Sequence, residues 1–206
     1  TKDGHAIIRH DLDLSSTTDI NDHSFLSTKI DQLTKADVSR LRAKERYPDG
    51  RVDSASQDGK YFVPTLRQLL ANQQFNGKHL IIEIKHGAHF EAIGVDPIQE
   101  VKALLKQSDW SNRGMKISLE SFEFEFLLRA KLEIGSDINY VFLSARDTLP
   151  KGVTELTDEL LAEIAANFDA VSVAMSMVLT GDLVARAKKM GLDIYAFTAR
   201  LETAEG

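Results

Sequence analysis

Leu80-Ile81-Ile82-Glu83-Ile84-Lys85 carries the strongest chemical signal in the chain. One carboxylate and one amine stand among four leucine and isoleucine side chains. A run this apolar and β-branched reads as a buried strand of a parallel sheet covered on both faces. Charges in such a place are costly unless paired or bound to a metal. Glu83 and Lys85 are two residues apart and project to one face. Opposite charges on the inner face near a strand end are what a barrel enzyme places at its catalytic mouth. A buried Glu–Lys ion pair without chemistry is the alternative reading.

The residue types bound the chemistry. Glu83 could ligate a hard divalent cation such as Mg²⁺ or Ca²⁺, which are held by carboxylates and water. Lys85 could meet a phosphate oxygen as a point charge or form a Schiff base, as in aldolases of barrel architecture. His10 and Asp11 close the stretch Ala6-Ile7-Ile8-Arg9. A histidine there can act as general acid or base, or can be an ordinary surface histidine. His86 and His89 are three apart with no helical HExxH around them, and they read as loop residues before zinc ligands. Tyr195, Phe197 and Thr198 fall on the last strand, where they either line a pocket or pack as barrel side chains do. Without any cysteine there is no disulfide, thiolate ligand or thiolate nucleophile.

The elements that must position these residues follow from the pattern. Strands are expected over 6–9, 80–85, 116–121, 139–143, 170–174 and 193–198, the last leading to Arg200. Helices are expected over 34–45 (Thr34 capping, Asp37 completing the box), from Pro64-Thr65 through Leu70, and over 97–107, 126–132, 157–167 and 183–190. Gly191 stops the last of these. Residues 1–4 form a turn and 47–60 a surface loop. Strand–helix alternation indicates a parallel α/β sheet with right-handed crossovers. Six strands favour an incomplete TIM (β/α)8-type barrel. The alternative, an open doubly wound sheet, usually shows a Gly-rich phosphate loop after its first strand, and none is present.

The 206 residues are enough for one domain, expected to span 1–206. A formal charge of −6 gives no electrostatic reason to expect nucleic-acid or anionic-membrane partners. No apolar run reaches the length of a membrane span. The chain opens on Thr1 instead of Met, so upstream sequence is expected to be missing from it.

Seven segments occur in a telling order: Thr1-Lys2-Asp3-Gly4, Arg9-His10-Asp11, Thr17-Thr18-Asp19, Val63-Pro64-Thr65-Leu66, Ile82-Glu83-Ile84-Lys85, Glu120-Ser121-Phe122 and Tyr195-Ala196-Phe197-Thr198-Ala199-Arg200. Together they resemble the glycerophosphodiester phosphodiesterase family, particularly its secreted or periplasmic bacterial branch. The resemblance implies a TIM barrel that uses Ca²⁺ or Mg²⁺ to hydrolyse small-molecule glycerophosphodiesters, such as glycerophosphocholine, to glycerol 3-phosphate and an alcohol. It implies a periplasmic or extracellular location. His10 then matches the second of two active-site histidines, Glu83 a metal-ligating glutamate, and Lys85 the lysine that faces the substrate phosphate. Tyr195 and Glu120 are further candidate substrate contacts. The family's His-Arg-Gly and Glu-x-Asp motifs would lie upstream of Thr1, so the chain alone is expected to be inactive. Leu12 and Ser16 depart from the usual Pro and Gly or Arg, and Glu120 stands where Gln is common. A non-catalytic relative kept for binding is the competing reading.

Overall fold

The computed structural model describes residues 1–179 and 181–199. Arg200, which closes the last recognised segment, lies outside them. The chain divides into two compact units, one formed by Thr1–Asn76 and His89–Trp110 and the other by Gly77–Ala88 with residues 111–199.

In the first unit, short helices and loops surround a core of Leu14, Ile20, Ile30, Leu33, Val38, Leu41 and Val63, joined by Ile7, Leu12, Phe25 and Phe90. Helix α1 (Lys35–Val38) carries the expected capping box, with Thr34 and Asp37 each accepting the other's backbone N–H. It is one turn long, not the expected twelve or so residues. Arg42 and Ala43 instead form antiparallel bridges to Phe62 and Thr18, so extended pairing wins over helix there. A further turn, α2 (Val52–Ala55), sits inside the 47–60 loop. Helix α3 (Leu66–Ala71) starts from a Thr65–Gln68 capping box. That start explains why 6–9 is not a strand. Ile7 bridges Thr65 once, antiparallel, and the facing chain then turns into α3 before a ladder can extend.

Between these stretches the chain supplies β1 (His79–Glu83) and α4 (Gly87–Ala92). It then returns to the first unit as α5 (Pro97–Gln107), capped by the Asp96 carboxylate accepting from Gln99 N–H. Ile98, Val101, Leu104 and Leu105 are its buried stripe.

The second unit is built on five parallel strands: β1, β2 (Lys116–Ser121), β3 (Asn139–Ser144), β4 (Ala170–Ala174) and β5 (Asp193–Phe197), hydrogen-bonded in that order. Helices α6 (Phe124–Ile134), α7 (Asp158–Asn167), α8 (Met175–Val178) and α9 (Leu183–Lys189) connect β2 through β5. Spatial order equals chain order, so the sheet is singly wound. A doubly wound sheet reverses direction at a switch point, and this one does not. The sheet also curls. Phe122, just past β2, and Phe197, at the end of β5, place their ring centroids 5.8 Å apart. Three strand spacings of about 4.8 Å would separate those strands in a flat sheet. The architecture is α/β of the (β/α)-barrel type, and no helix among the described residues is long and apolar enough to cross a membrane.

Burial separates the strands. In β4, Ala170 through Val173 are buried, as a strand covered on both faces requires. The 80–85 run departs from that expectation. Among the described residues β1 pairs only with β2, and Ile81 is 47% exposed. An edge strand has one covered flank, and its apolar composition does not change that.

Gly87 opens α4 against the face of Phe126. A Cβ at Gly87 would stand 2.4 Å from the Phe126 ring, inside any tolerated contact. Gly87→Ala is expected to cost about 1–3 kcal/mol, the usual penalty for overpacking. The urea midpoint should fall with an unchanged slope, and a midpoint equal to wild type would show that the ring yields freely.

Candidate active site

The register of the first strand pair assembles the site. Glu83, the last residue of β1, is the in-register partner of Glu120 on β2. Partners in a parallel ladder share a face, so two carboxylates stand side by side at the C-terminal ends of neighbouring strands. The opposite face is the helix-covered one, because Phe142, the register partner of Ser121, packs edge-on against Phe124 of α6, with centroids 5.4 Å apart. Glu83 and Glu120 therefore occupy the face that a barrel turns inward.

Lys85 lies just beyond β1, on the same side as the alternation requires. Its Nζ is 3.7 Å from Glu83 Oε1. That separation is an ion pair but too long for a hydrogen bond. Glu83 Oε1 is itself buried and has no hydrogen-bond partner. Ser121 ties the two strand ends together: its hydroxyl donates to the Ile84 carbonyl at 3.1 Å, and Glu123 N–H donates to the same hydroxyl at 3.2 Å. Glu123 Oε2 in turn accepts from Ala88 N–H at 2.8 Å. Between Lys85 and α4 the backbone turns through His86 at φ 57°, a left-handed conformation in which His is tolerated better than most residues. His86 is exposed at that turn, and His89 pairs with Asp31 at 2.7 Å. His86 is the loop residue expected, whereas His89 stands within α4, on its exposed side, because the helix begins at Gly87 directly after the turn.

Burial, and then the neighbouring Glu83 carboxylate, push Glu120 up to about 7. The folded protein thus holds the Glu120 proton more tightly than an unfolded chain with the ordinary value of 4.5. By linkage, stability from this group is full below about pH 4.5 and is lost as pH rises toward about 7. In chelator-containing buffer, wild type should lose stability relative to Glu120→Gln between about pH 5 and about pH 8. An equal stability difference between the two proteins at both pH values would remove this account of the Glu120 proton.

Tyr195 is half-buried on β5, in register with Ser172 of β4, which is in register with Leu143 of β3. It sits on the sheet three strands from β2. His10 belongs to the first unit. Its Nδ1 lies 2.6 Å from Asp11 Oδ1, and its side chain is 70% exposed. Arg46 Nη2 donates to the other Asp11 oxygen. Burial alone would push Asp11 up. The hydrogen bond to His10 and the Arg46 charge outweigh it and hold the carboxyl below its usual range. Asp11 is thereby fixed as a carboxylate that orients the imidazole.

The sequence reading missed Ser121 as the tie between strand ends and Arg46 as the anchor of Asp11. It also passed over Arg9, whose Nε and Nη2 are buried and unbonded. The signal for Arg9 was present: like Glu83, it is a charge in an apolar run.

The donor set suits a hard dication. Two carboxylates, one with a buried oxygen that has no hydrogen-bond partner, match the way Mg²⁺ is held by one or two carboxylates, water and substrate phosphate oxygens. Among the described residues no three His, Asp or Glu side chains gather into a metal-binding group.

A singly wound parallel sheet with ionisable side chains at the C-terminal ends of its strands is the plan of a (β/α)-barrel enzyme. The model of the glycerophosphoryl diester phosphodiesterase family matches residues 1–205. The chain belongs to that family of phosphoric diester hydrolases. A candidate glycerophosphoryl diester phosphodiesterase from Silicibacter pomeroyi DSS-3 superposes with a TM-score of 0.76 at 22% identity, covering 97% of this chain and 70% of that one. A glycerophosphodiester phosphodiesterase from Agrobacterium tumefaciens str. C58 superposes at 0.63 and 17% identity, covering 97% of this chain and 71% of that one. At these identities the two structures establish the fold alone. No curated protein matches the chain significantly.

Proposed function

We propose that the protein hydrolyses glycerophosphodiesters to glycerol 3-phosphate and an alcohol, outside the cytoplasm, with a Ca²⁺ or Mg²⁺ ion at Glu83. The observation that carries the site is Glu83 Oε1, a buried carboxylate oxygen without a hydrogen-bond partner at a strand end. Family membership carries the reaction class. Glu83 would hold the ion, with Glu120 supplying a second carboxylate from the neighbouring strand. A bound dication supplies charge neutralisation for the phosphoryl oxygens.

The chain's own residues do the rest. Lys85, held beside Glu83, offers a point charge to the phosphoryl group as negative charge builds there. Cleavage of the ester bond leaves an alkoxide that must take a proton, while the attacking hydroxyl, of water or of the glycerol itself, must lose one. His10 moves one of these protons at Nε2, because Asp11 holds Nδ1. Tyr195 is a candidate contact for the glycerol or head-group portion.

The test is release of glycerol 3-phosphate from glycerophosphocholine, with and without chelator, by the 206-residue chain and by the product of its complete open reading frame. Chelator-sensitive release by the latter is expected. No release by either protein with added Ca²⁺ or Mg²⁺ would overturn the reading in favour of a non-catalytic relative.

A further inference from the structure

Arg9 carries an unsatisfied charge in the first unit. Two of its nitrogens, Nε and Nη2, are buried without a hydrogen-bond partner. An arginine cannot shed its charge to escape burial, although burial pulls its pKa down from the ordinary value. Its neighbours in sequence cannot serve it. Asp11 is engaged on both oxygens, by His10 and by Arg46. Asp13 accepts from Ser15 N–H and the Thr28 hydroxyl. Among the described residues no carboxylate lies within ion-pair distance of Arg9, whereas Arg46, Arg51 and Arg186 all have one.

The two orphaned atoms are informative together. Nε and Nη2 share one edge of the guanidinium plane, and their N–H bonds run parallel. That edge is the side-on fork that takes two oxygens of a single planar or tetrahedral oxyanion. The next residue in the chain is His10, which is assigned proton transfer. We infer that Arg9 is a bidentate receptor for a phosphoryl group, binding substrate or product through two non-bridging oxygens. The inference rests on the phosphodiester reading for the identity of the oxyanion, and on the orphaned fork for the site.

Inorganic phosphate is the probe, with acetate as the control for any planar carboxylate. Calorimetric titration of the complete open reading frame's product is expected to show phosphate binding that Arg9→Met weakens by about tenfold or more, as two lost charge-assisted hydrogen bonds imply. Arg9→Lys keeps the charge and loses the fork, so it too should bind about tenfold more weakly. Arg9→Lys also decides the matter if Arg9→Met does not fold. Wild-type phosphate affinity in either folded variant, or no phosphate binding by wild type, overturns the assignment. Acetate bound through Arg9 as tightly as phosphate would also overturn it, in favour of a carboxylate site. Glycerophosphocholine hydrolysis by wild type is read separately. Hydrolysis with Arg9-independent phosphate binding removes this inference alone, and Arg9-dependent phosphate binding without hydrolysis removes the functional reading alone.

Discussion

Glu83→Gln is expected to lower metal-dependent hydrolysis by roughly 10³ in kcat/KM, equivalent to about 4 kcal/mol of transition-state charge stabilisation. The amide is nearly isosteric, so the β1–β2 ladder and the fold should survive. The loss is electrostatic, because a neutral oxygen replaces the carboxylate that would hold the ion and that faces Lys85 at 3.7 Å. A second readout comes from Glu120. The Glu83 charge is one of the two causes of its elevation to about 7, so the variant should bring the Glu120 carboxyl partway down while burial still holds it up. Carboxyl chemical shifts followed against pH measure this without any turnover. Unchanged kcat/KM at limiting Ca²⁺ or Mg²⁺ would end the assignment of Glu83 as ligand.

His10→Ala should lower kcat by roughly 10²–10⁴, the range for losing a positioned acid or base. Cation affinity should hardly change, since the imidazole is assigned to a proton and not to the ion. The Asp11 carboxylate that holds Nδ1 gives a graded companion. Asp11→Asn should cost less than the alanine variant, because it alters the orientation of the ring and leaves the ring in place. Full kcat in His10→Ala from about pH 5 to about pH 9 would make His10 a surface histidine and nothing more.

Sequence pattern singled out the candidate site through composition at strand ends. Glu83 and Lys85 stood out because charges are costly inside an isoleucine-rich run, and alternation put them on one side, where their ion pair is found. The connecting helices were legible where a cap, an apolar stripe and a stop coincided, as in Pro97–Gln107. The errors share a cause. Ala6-Ile7-Ile8-Arg9 has strand composition but meets a partner that becomes helix at Leu66, and helix 34–45 yields after one turn to the pairing of Arg42 and Ala43. Both outcomes depend on residues tens of positions away. The pairing of Glu83 with Glu120 was hidden for the same reason: register belongs to two strands 37 residues apart in the chain, and neither strand encodes it alone.

The one-sided pairing of β1 has a consequence for motion. Its backbone N–H groups are secured by β2 alone among the described strands, so β1 should open locally at a lower free-energy cost than β3 or β4. The strand that carries Glu83 is thus one of the two edges, with β5, where amide protection is expected to be shorter-lived than in the middle of the sheet. Any ion held by that carboxylate would be felt as slower hydrogen exchange along His79–Glu83, well before it was felt in the middle of the sheet.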